Sequence, residues 1–408
     1  MFTRRNLLRL LLFAGFALLA LGCVPEAAKR WNVLLPALSP LLGLCGAAAS
    51  LTFGALTLAA LPLVLLPLFK GRFFCWRLCP MGFLAESVSR LNRRHAGLIR
   101  KVPFVGKGLA LLIVASAAAG YPLLIWTDPL SLFNGFFAAW RQPLTWASAG
   151  TAAGFVLIVL ASLAAPNIWC HRLCPLGGLE EWLTQLGARL RAARAPAPAA
   201  EGLSRIQVGR RVFLGFAAGG VTGLAYGKVS GKAPPAVIRP PGAAPRALNA
   251  LCARCGNCMQ ACPYALIAPD LGASGLDGLF TPVLKFRSRN PAQEQFCFQD
   301  CTACTQVCPT GALRALPLEE KKQVAIGVAR VDKKTCIAWE KGEYCVVCQE
   351  FCPYQAVIEQ KYKGVNCPVI DEEKCRGCGA CESQCPAQPV AIVVEGRNPQ
   401  PVLAAPAP

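Results

Sequence analysis

Sixteen cysteines in the second half of the chain follow one repeating pattern. Each repeat has three closely spaced cysteines, then three residues, then a fourth cysteine followed by proline. Two repeats have the spacing C-x2-C-x2-C-x3-C-P, and the other two lengthen the first gap to three or eight residues. The repeats contain Cys252, Cys255, Cys258 and Cys262; Cys297, Cys301, Cys304 and Cys308; Cys336, Cys345, Cys348 and Cys352; and Cys375, Cys378, Cys381 and Cys385.

We call these sixteen residues the cysteine ladder. Their spacing is that of the bacterial ferredoxin run, in which one tight loop supplies three thiolates to a [4Fe–4S] cube and the fourth cysteine completes the neighbouring cluster. Zinc knuckles would not use the third close cysteine, and a disulfide scaffold would not place cysteines so close together. The pattern predicts four [4Fe–4S] clusters, with the ligand sets Cys252, Cys255, Cys258 and Cys308; Cys297, Cys301, Cys304 and Cys262; Cys336, Cys345, Cys348 and Cys385; and Cys375, Cys378, Cys381 and Cys352.

Two shorter motifs in the first half have the form C-x3-C-P, with Arg-Leu before the second cysteine. They contain Cys75 and Cys79, and Cys170 and Cys174. Brought together, the two pairs would supply four thiolates, enough for one further cluster or for a redox disulfide pair, and a structural or sensory role stays open. The other cysteines are Cys23, Cys45 and Cys367, and Cys367 could replace a ladder ligand.

Composition separates an apolar half from a polar one. The 408 residues are 54% hydrophobic, and the long apolar stretches lie before residue 230. The net charge is +20, and residues before 228 hold 22 Lys and Arg against six Asp and Glu. Basic loops beside apolar stretches are typical of membrane proteins that keep positive charge inside. Nucleic acid is therefore not an expected partner, whereas membrane lipid is.

The predicted fold class is a multi-pass α-helical membrane bundle followed by tandem ferredoxin-like α+β modules with two clusters each. Residues 1–186 are predicted as a membrane domain with four helices, at about 1–24, Leu41–Phe69, Phe104–Trp126 and Ala147–Trp169. This topology places both C-x3-C-P motifs at the inner face. The predicted location is the bacterial inner membrane.

The boundaries of the second half follow from composition and from one motif. Residues 187–208 are predicted as a flexible linker and 230–250 as a Pro-rich spacer. Between them, Arg210 and Arg211 precede a weakly apolar run, so 209–229 is predicted as a twin-arginine-like signal or fifth span, and a short helix packed on the bundle is the alternative. The ladder is divided into modules at 251–315 and 330–395, predicted to be periplasmic.

On these motifs, the first half resembles the NapH-type membrane quinol dehydrogenase subunits, and the ladder half resembles NapG- or MauM-type polyferredoxins. The resemblance implies a fusion that passes electrons from quinol through four clusters to a periplasmic oxidoreductase or its cytochrome. An electron-supplying assembly factor for a metallo- or quinocofactor enzyme is the alternative, and a redox-sensing scaffold is a third. Residues 178–208 lack the cysteines that the membrane family usually carries there. The sequence therefore does not indicate how electrons would pass between the two halves.

Other chemistry is sparse in the sequence. The chain has two histidines, His95 and His171, and no C-x-x-C-H motif, so haem is not expected. Quinol oxidation releases protons, and a carboxylate near the site would accept them. The candidates are Glu26, Glu86, Asp128 and Glu180, each expected to be a solvated loop residue.

Overall fold

The computed structural model describes residues 4–21, 34–50, 55–91, 102–140, 146–192, 215–226, 228, 237–244, 247–287 and 296–403. The chain forms two compact units. The first unit consists of Met1–Gly231, Asn249–Asn257 and Pro309–Gly311. The second consists of Lys232–Leu248, Cys258–Cys308 and Ala312–Pro408.

The first unit is helical. Several of its helices begin at a proline, because the first helical position has no hydrogen bond that the missing N–H would lose. Its helices are α1 (Arg4–Leu21), α2 (Leu34–Ala37), α3 (Pro40–Ser50), α4 (Ala55–Leu65), α5 (Pro67–Lys70), α6 (Phe73–Arg77), α7 (Pro80–Ser89), α8 (Val105–Ala118), α9 (Pro129–Ala139), α10 (Trp146–Ala164), α11 (Pro175–Ala192) and α12 (215–226).

The first three stretches predicted as membrane spans form shorter or charged helices. The second predicted span is divided between α3 and α4, of 11 residues each, and α5, of four. The third contains the 14 residues of α8, which cover roughly 21 Å at 1.5 Å per residue, less than the ~30 Å hydrocarbon core of a bilayer. Helix α1 has 18 residues but includes Arg4, Arg5 and Arg9.

Within the ranges that the structure describes, no helix combines the length and the apolar composition needed to cross a membrane. The predicted multi-pass membrane bundle is therefore wrong, and so is the predicted location in the inner membrane. Some of the apolar side chains of these helices pack on one another in the core of the first unit, whereas others, such as Leu11, Leu61 and Leu157, are exposed. A hydropathy pattern does not distinguish this use of apolar residues from contact with lipid.

Aromatic and aliphatic side chains from distant helices form the core of the first unit. Phe133 of α9 is fully buried, and its ring centroid lies 5.6 Å from that of Phe13 and 6.1 Å from that of Phe155. Phe136 stacks on Phe155 at 4.2 Å. Burying each such ring contributes about 2–3 kcal/mol, so this cluster fixes α1, α9 and α10 against each other.

Helix α12 packs closely on α8. A Cβ on Gly219 would lie 2.7 Å from the Cβ of Ala115, and one on Gly223 would lie 3.0 Å from the Cα of Ser116. The predicted twin-arginine motif, Arg210 and Arg211, lies outside the described residues. The helix that follows it matches the alternative considered from the sequence, a short helix packed against the other helices.

The second unit has short helices and strands between its cysteine loops. Its sheets are antiparallel pairs of strands: β1 (Ile267–Pro269) with β2 (Pro282–Leu284), β3 (Gly327–Val331) with β6 (Ile392–Gly396), and β4 (Val357–Tyr362) with β5 (Val365–Ile370). Its helices, of which the first two also include residues assigned to the first unit, are α13 (Leu248–Leu251), α14 (Asn257–Ala261), α15 (Ala303–Gln306), α16 (Leu318–Gln323), α17 (Ile337–Glu340), α18 (Val347–Glu350) and α19 (Ala380–Gln384).

Candidate metal centres

One cavity of the second unit is lined by four cysteines that come from two different repeats. Cys336, Cys345, Cys348 and Cys385 surround an empty volume of about 370 Å³. Cys336 immediately precedes α17, Cys348 lies in α18, and Cys385 follows α19. Valine, isoleucine, alanine and proline side chains form the rest of the wall. The structure therefore brings one predicted ligand set together in an apolar environment.

A second cavity of about 330 Å³ is lined by another predicted set, Cys352, Cys375, Cys378 and Cys381. The loop that carries the last three depends on glycine. Gly377 has a φ of +68°, and a Cβ there would lie 2.4 Å from the carbonyl carbon of Gly327 in β3. The glycine between two cysteines thus allows the loop to lie directly against the strand.

The third predicted set is close enough for its thiols to influence one another. Burial raises the pKa of Cys304 well above its ordinary value, and the charges of Cys297, Cys262 and Cys301 raise it further. Lys321 opposes this shift. Lys321 is itself buried and donates a hydrogen bond to the carbonyl of Phe298, so a fixed ammonium group lies beside these cysteines.

The fourth predicted set stays a prediction. Cys252 and Cys255 belong to the first unit, and Cys258 and Cys308 to the second. Within the first unit, the Asn134 side-chain amide donates to the carbonyl of Cys255 at 2.6 Å and to Oδ1 of Asn257 at 2.7 Å. A buried asparagine of α9 therefore holds the loop that carries the first C-x2-C pair.

The ladder cavities fit iron–sulfur clusters in their chemistry. Backbone N–H groups point at several sulfurs: Ala329 N lies 3.5 Å from Cys375 Sγ, and Ala356 N lies 3.3 Å from Cys352 Sγ. Such bonds stabilise thiolates and tune cluster potentials. Burial, followed by the neighbouring Cys336, Cys345 and Cys385, raises the pKa of Cys348 to about 12. Four clustered thiolates therefore need a positively charged group among them, and iron supplies that charge.

The spacing of these sulfurs differs from that of a single-ion site. Among the described residues, no group of three or more His, Cys, Asp and Glu side chains is placed to hold one metal ion. The four cysteines of each cavity instead lie around an open space. A cube of four irons and four sulfides separates its thiolate ligands more widely than one zinc ion does.

Cys367 lies beside the first cavity but does not line it. Its side chain is fully buried in β5, and its thiol is 3.4 Å from the carbonyl oxygen of Ala338. Cys336 packs in the same apolar cluster and faces the cavity. The geometry therefore favours Cys336 over Cys367 as the ligand, although the gap that follows Cys336 is long.

The two C-x3-C-P motifs meet in the first unit. Burial raises the pKa of Cys174 well above its ordinary value, and the charges of Cys170 and Cys79 raise it further. The pKa of Cys75 is raised in the same way, first by burial, then by Glu180, and then by Cys79 and Cys174. Thiols almost a hundred residues apart in the chain therefore form one four-thiol site.

The two motifs have the same local geometry. Cys79 is the N-cap of α7 and its Sγ accepts from Gly82 N at 3.4 Å; Cys174 Sγ accepts from Gly177 N, in the first turn of α11, at the same distance. A Cβ on Gly82 would lie 2.6 Å from the carbonyl oxygen of Cys75. A Cβ on Gly177 would lie 2.8 Å from that of Cys170. The sequence repeat is thus also a structural repeat.

Each motif also holds the other by one charged side chain. Arg72, just before the first pair, donates from Nη2 to the carbonyl of Cys170 at 2.8 Å. Glu180, just after the second pair, accepts from Phe74 N at 3.1 Å and from Cys75 N at 3.2 Å. Because Glu180 is fully buried, these two N–H groups have no water to replace it. We call Arg72 and Glu180 the reciprocal brace.

Comparison with known proteins identifies the group to which these centres belong. The chain is 36% identical over 211 residues to the methylamine utilization ferredoxin-type protein MauM of Methylorubrum extorquens, which covers 45% of this chain and 91% of MauM. It is 34% identical over 207 residues to the ferredoxin-type protein NapG of Escherichia coli, covering 46% of this chain and 86% of NapG. The chain belongs to the MauM and NapG ferredoxin-type proteins. No solved structure matches it.

As a member of the MauM and NapG group, the chain is a ferredoxin-type 4Fe–4S electron-transfer protein. A family model described as "4Fe-4S binding domain" matches residues 368–390, which include the last cysteine repeat. A second model with the same description matches residues 51–98 and 149–193, which include both C-x3-C-P motifs. The matches do not show the predicted fusion with a NapH-type subunit.

Two of the carboxylates considered as proton acceptors, Asp128 and Glu180, are buried rather than solvated. Asp128 is fully buried as the N-cap of α9, where it accepts from Ser39 Oγ at 2.6 Å and from the N–H groups of Leu130 and Ser131. Burial raises the pKa of Asp128 to about 6 in spite of these bonds. The Asp-Pro pair that begins α9 is an N-cap signal that the sequence analysis did not use.

The remaining candidates have other surroundings. Glu86 is partly exposed and forms ion pairs with Arg9 at 2.5 Å and Arg90 at 2.7 Å. Burial opposes ionisation of Glu86, but hydrogen bonds from both arginines hold its pKa below the ordinary value. His171 is exposed beside the four-thiol site. Glu26, Cys23 and His95 lie outside the described residues.

The close approach at Gly82 predicts a specific loss of stability. Gly82→Ala forces a Cβ against the carbonyl of Cys75, so we expect a loss of about 2 kcal/mol and a melting temperature several degrees lower. Gly108→Ala in α8 is the matched control, because no atom lies within 4 Å of its new Cβ, and it should gain about 0.5–1 kcal/mol. Thermal unfolding of the anaerobic holoprotein measures both. Equal shifts in the two variants would contradict the packing.

Proposed function

We propose that the chain is a relay of four [4Fe–4S] clusters held by the cysteine ladder. The observation that carries the proposal is the cavity lined by Cys336, Cys345, Cys348 and Cys385, because it joins three cysteines of one repeat to the last cysteine of the next. This is the exchange of fourth ligands that a two-cluster ferredoxin module needs. The cavity lined by Cys352, Cys375, Cys378 and Cys381 repeats the exchange in the opposite direction.

The other two ligand sets complete the relay in the proposal. Cys297, Cys301, Cys304 and Cys262 would hold one cluster, supported by the mutual effect of their charges. Cys252, Cys255, Cys258 and Cys308 would hold the other, on the strength of their spacing. When bound, each cluster accepts and releases one electron. The chain's own residues supply thiolates, N–H donors to sulfur, and an apolar wall that excludes water.

The four-thiol site is proposed as a fifth iron–sulfur centre. Cys75, Cys79, Cys170 and Cys174 are brought together by the reciprocal brace, and the segments that carry them match the second 4Fe–4S family model. The alternative is that the same four thiols form a redox-active pair of disulfides. This centre would place a further electron carrier in the helical unit, to which the ladder contributes only Cys252 and Cys255.

Quinol is proposed as the electron donor, and an oxidoreductase or its cytochrome as the acceptor. The support is the resemblance of the first half to quinol dehydrogenase subunits at the C-x3-C-P motifs. One quinol releases two electrons and two protons on oxidation to quinone. Two clusters would take one electron each, and the protons would pass to solvent.

Iron content and redox titration test the proposal. Anaerobically prepared protein should contain about 20 irons per chain, and the double variant Cys75→Ser/Cys170→Ser about 16, with the ladder still filled. Dithionite should produce the EPR signals of reduced [4Fe–4S] clusters, and a soluble quinol should reproduce part of them. Zinc in place of iron would refute the proposed relay. If dithionite reduced the clusters but no quinol did, only the proposal that quinol is the electron donor would be refuted.

A further inference from the structure

A pocket lies next to the four-thiol site, and Cys174 is the one proposed cluster ligand among the described residues of its lining. It lies in the first unit and has an empty volume of about 240 Å³. Its lining includes the side chains of Arg72, Lys107, His171 and Arg172, together with three glycines and Cys174.

Positive charge dominates the lining. Three of the lining side chains are permanently cationic, and Glu181 is the acid among the lining residues that the structure describes. Lys107 Nζ lies 3.8 Å from Glu181 Oε1, so one of the three charges is partly offset.

The cations are held in place rather than extended into solvent. The guanidinium of Arg172 stacks on the Phe104 ring with its Cζ 3.9 Å from the ring centroid, and Lys107 Nζ lies 5.1 Å from the same centroid. Arg72 is fixed by its bond to the carbonyl of Cys170. Its Nε is buried, and no hydrogen-bond partner for it occurs in the described part of the chain. A set of cationic side chains that is already held in place is suited to an anion.

Two helices also begin at this pocket. Gly106 and Lys107 lie in the first turn of α8, and Gly177 and Gly178 in the first turn of α11. The helices approach so closely that a Cβ on Gly178 would lie 2.2 Å from the carbonyl oxygen of Gly106. The N-terminus of a helix carries a partial positive charge from its free N–H groups. Both helix ends therefore add to the field of the basic side chains.

We propose that this pocket binds a tetrahedral oxyanion of the phosphate class, either free or as the phosphoryl group of a larger molecule. Arg172 and Lys107 supply two of the positive charges, Arg72 adds a third, and the helix ends complete the positive environment. The proposal does not depend on the iron content of the four-thiol site, because none of these three side chains is a thiol ligand.

Titration of the full-length holoprotein with inorganic phosphate, followed by calorimetry, tests the proposal. Wild-type protein should bind phosphate at an ionic strength where the same concentration of chloride gives no heat of binding. Arg172→Gln and Lys107→Gln should each weaken binding about tenfold or more, since each removes a charge-assisted contact. Glu181→Gln should strengthen it, because it removes the acid. Glycerol phosphate distinguishes the two sources: equal or tighter binding indicates a phosphoryl group of a larger molecule, and weaker binding indicates the free ion.

Arg189→Gln is the matched control, because Arg189 is an exposed arginine in the last turn of the same helix α11. It should leave phosphate binding unchanged. Circular dichroism and iron content establish that each variant is folded. If Arg172→Gln does not fold, Lys107→Gln and Glu181→Gln still test the proposal. Absence of phosphate binding to wild type, or equal weakening by Arg189→Gln and Lys107→Gln, would overturn the proposal.

Discussion

Replacing Cys336 by serine should remove about four irons from each chain, whereas replacing Cys367 by serine should remove none. Both cysteines are buried in the same apolar cluster of the second unit. Cys336 lines the cavity with Cys345, Cys348 and Cys385, but the thiol of Cys367 faces the carbonyl oxygen of Ala338 at 3.4 Å, where a serine hydroxyl can donate the same bond. Iron analysis and EPR of anaerobic protein measure the difference.

The pair of variants separates ligation from burial. A general loss of packing would affect both, whereas loss of a ligand affects Cys336→Ser alone and loosens the surrounding loops, because the cluster forms much of their core. Because a serine at position 336 could still ligate iron, Cys336→Ala is measured as well. If Cys367→Ser lost iron and Cys336→Ala did not, the third repeat would use Cys367, and its long first gap would be only a spacer.

Replacing Glu180 by alanine should raise the rate of amide hydrogen exchange over residues 73–82 by roughly 100-fold. The change leaves the N–H groups of Phe74 and Cys75 buried without an acceptor, at about 1–3 kcal/mol for each donor. A total near 3 kcal/mol corresponds to about two orders of magnitude in the opening equilibrium. Exchange followed by mass spectrometry reports this segment directly, without assuming that the whole chain unfolds in one step.

Glu181→Ala is the control, since Glu181 is the next residue and is partly exposed. Its contact with Lys107 at 3.8 Å is a surface ion pair, worth less than about 1 kcal/mol, so exchange should rise less than about fivefold. Glu180→Gln should lie between the two, because an amide keeps one acceptor oxygen. Equal exchange in Glu180→Ala and Glu181→Ala would show that the brace does not hold the first C-x3-C-P motif.

The apolar half shows why hydropathy was an incomplete guide to the fold. Helices α3 and α4 are as apolar as membrane helices but have 11 residues each, with Pro40 at the start of one and Pro62 inside the other. Arg9 lies among the leucines of α1, yet it is buried and paired with Glu86. Whether such residues face lipid or protein depends on helix ends and tertiary partners, which a window average does not contain.

The buried carboxylates were missed for a related reason. Asp128 and Glu180 lie beside turns in the sequence, where solvent exposure is the usual outcome. Their burial becomes visible only when Ser39 and the backbone of Phe74 and Cys75, about 90 and 105 residues away, are brought to them. Side-chain environment depends on these distant neighbours.

The cysteine spacing by itself determined the chemistry of this protein. Three thiols within a few residues need only a local turn to face one cluster, so the class of cofactor and most of each ligand set can be predicted from the sequence. Only the tertiary structure decided how distant parts meet. The cavity shared by Cys348 and Cys385 and the brace between Arg72 and Cys170 join residues far apart in the chain. Such contacts depend on the packing of whole helices and loops, which no local spacing specifies.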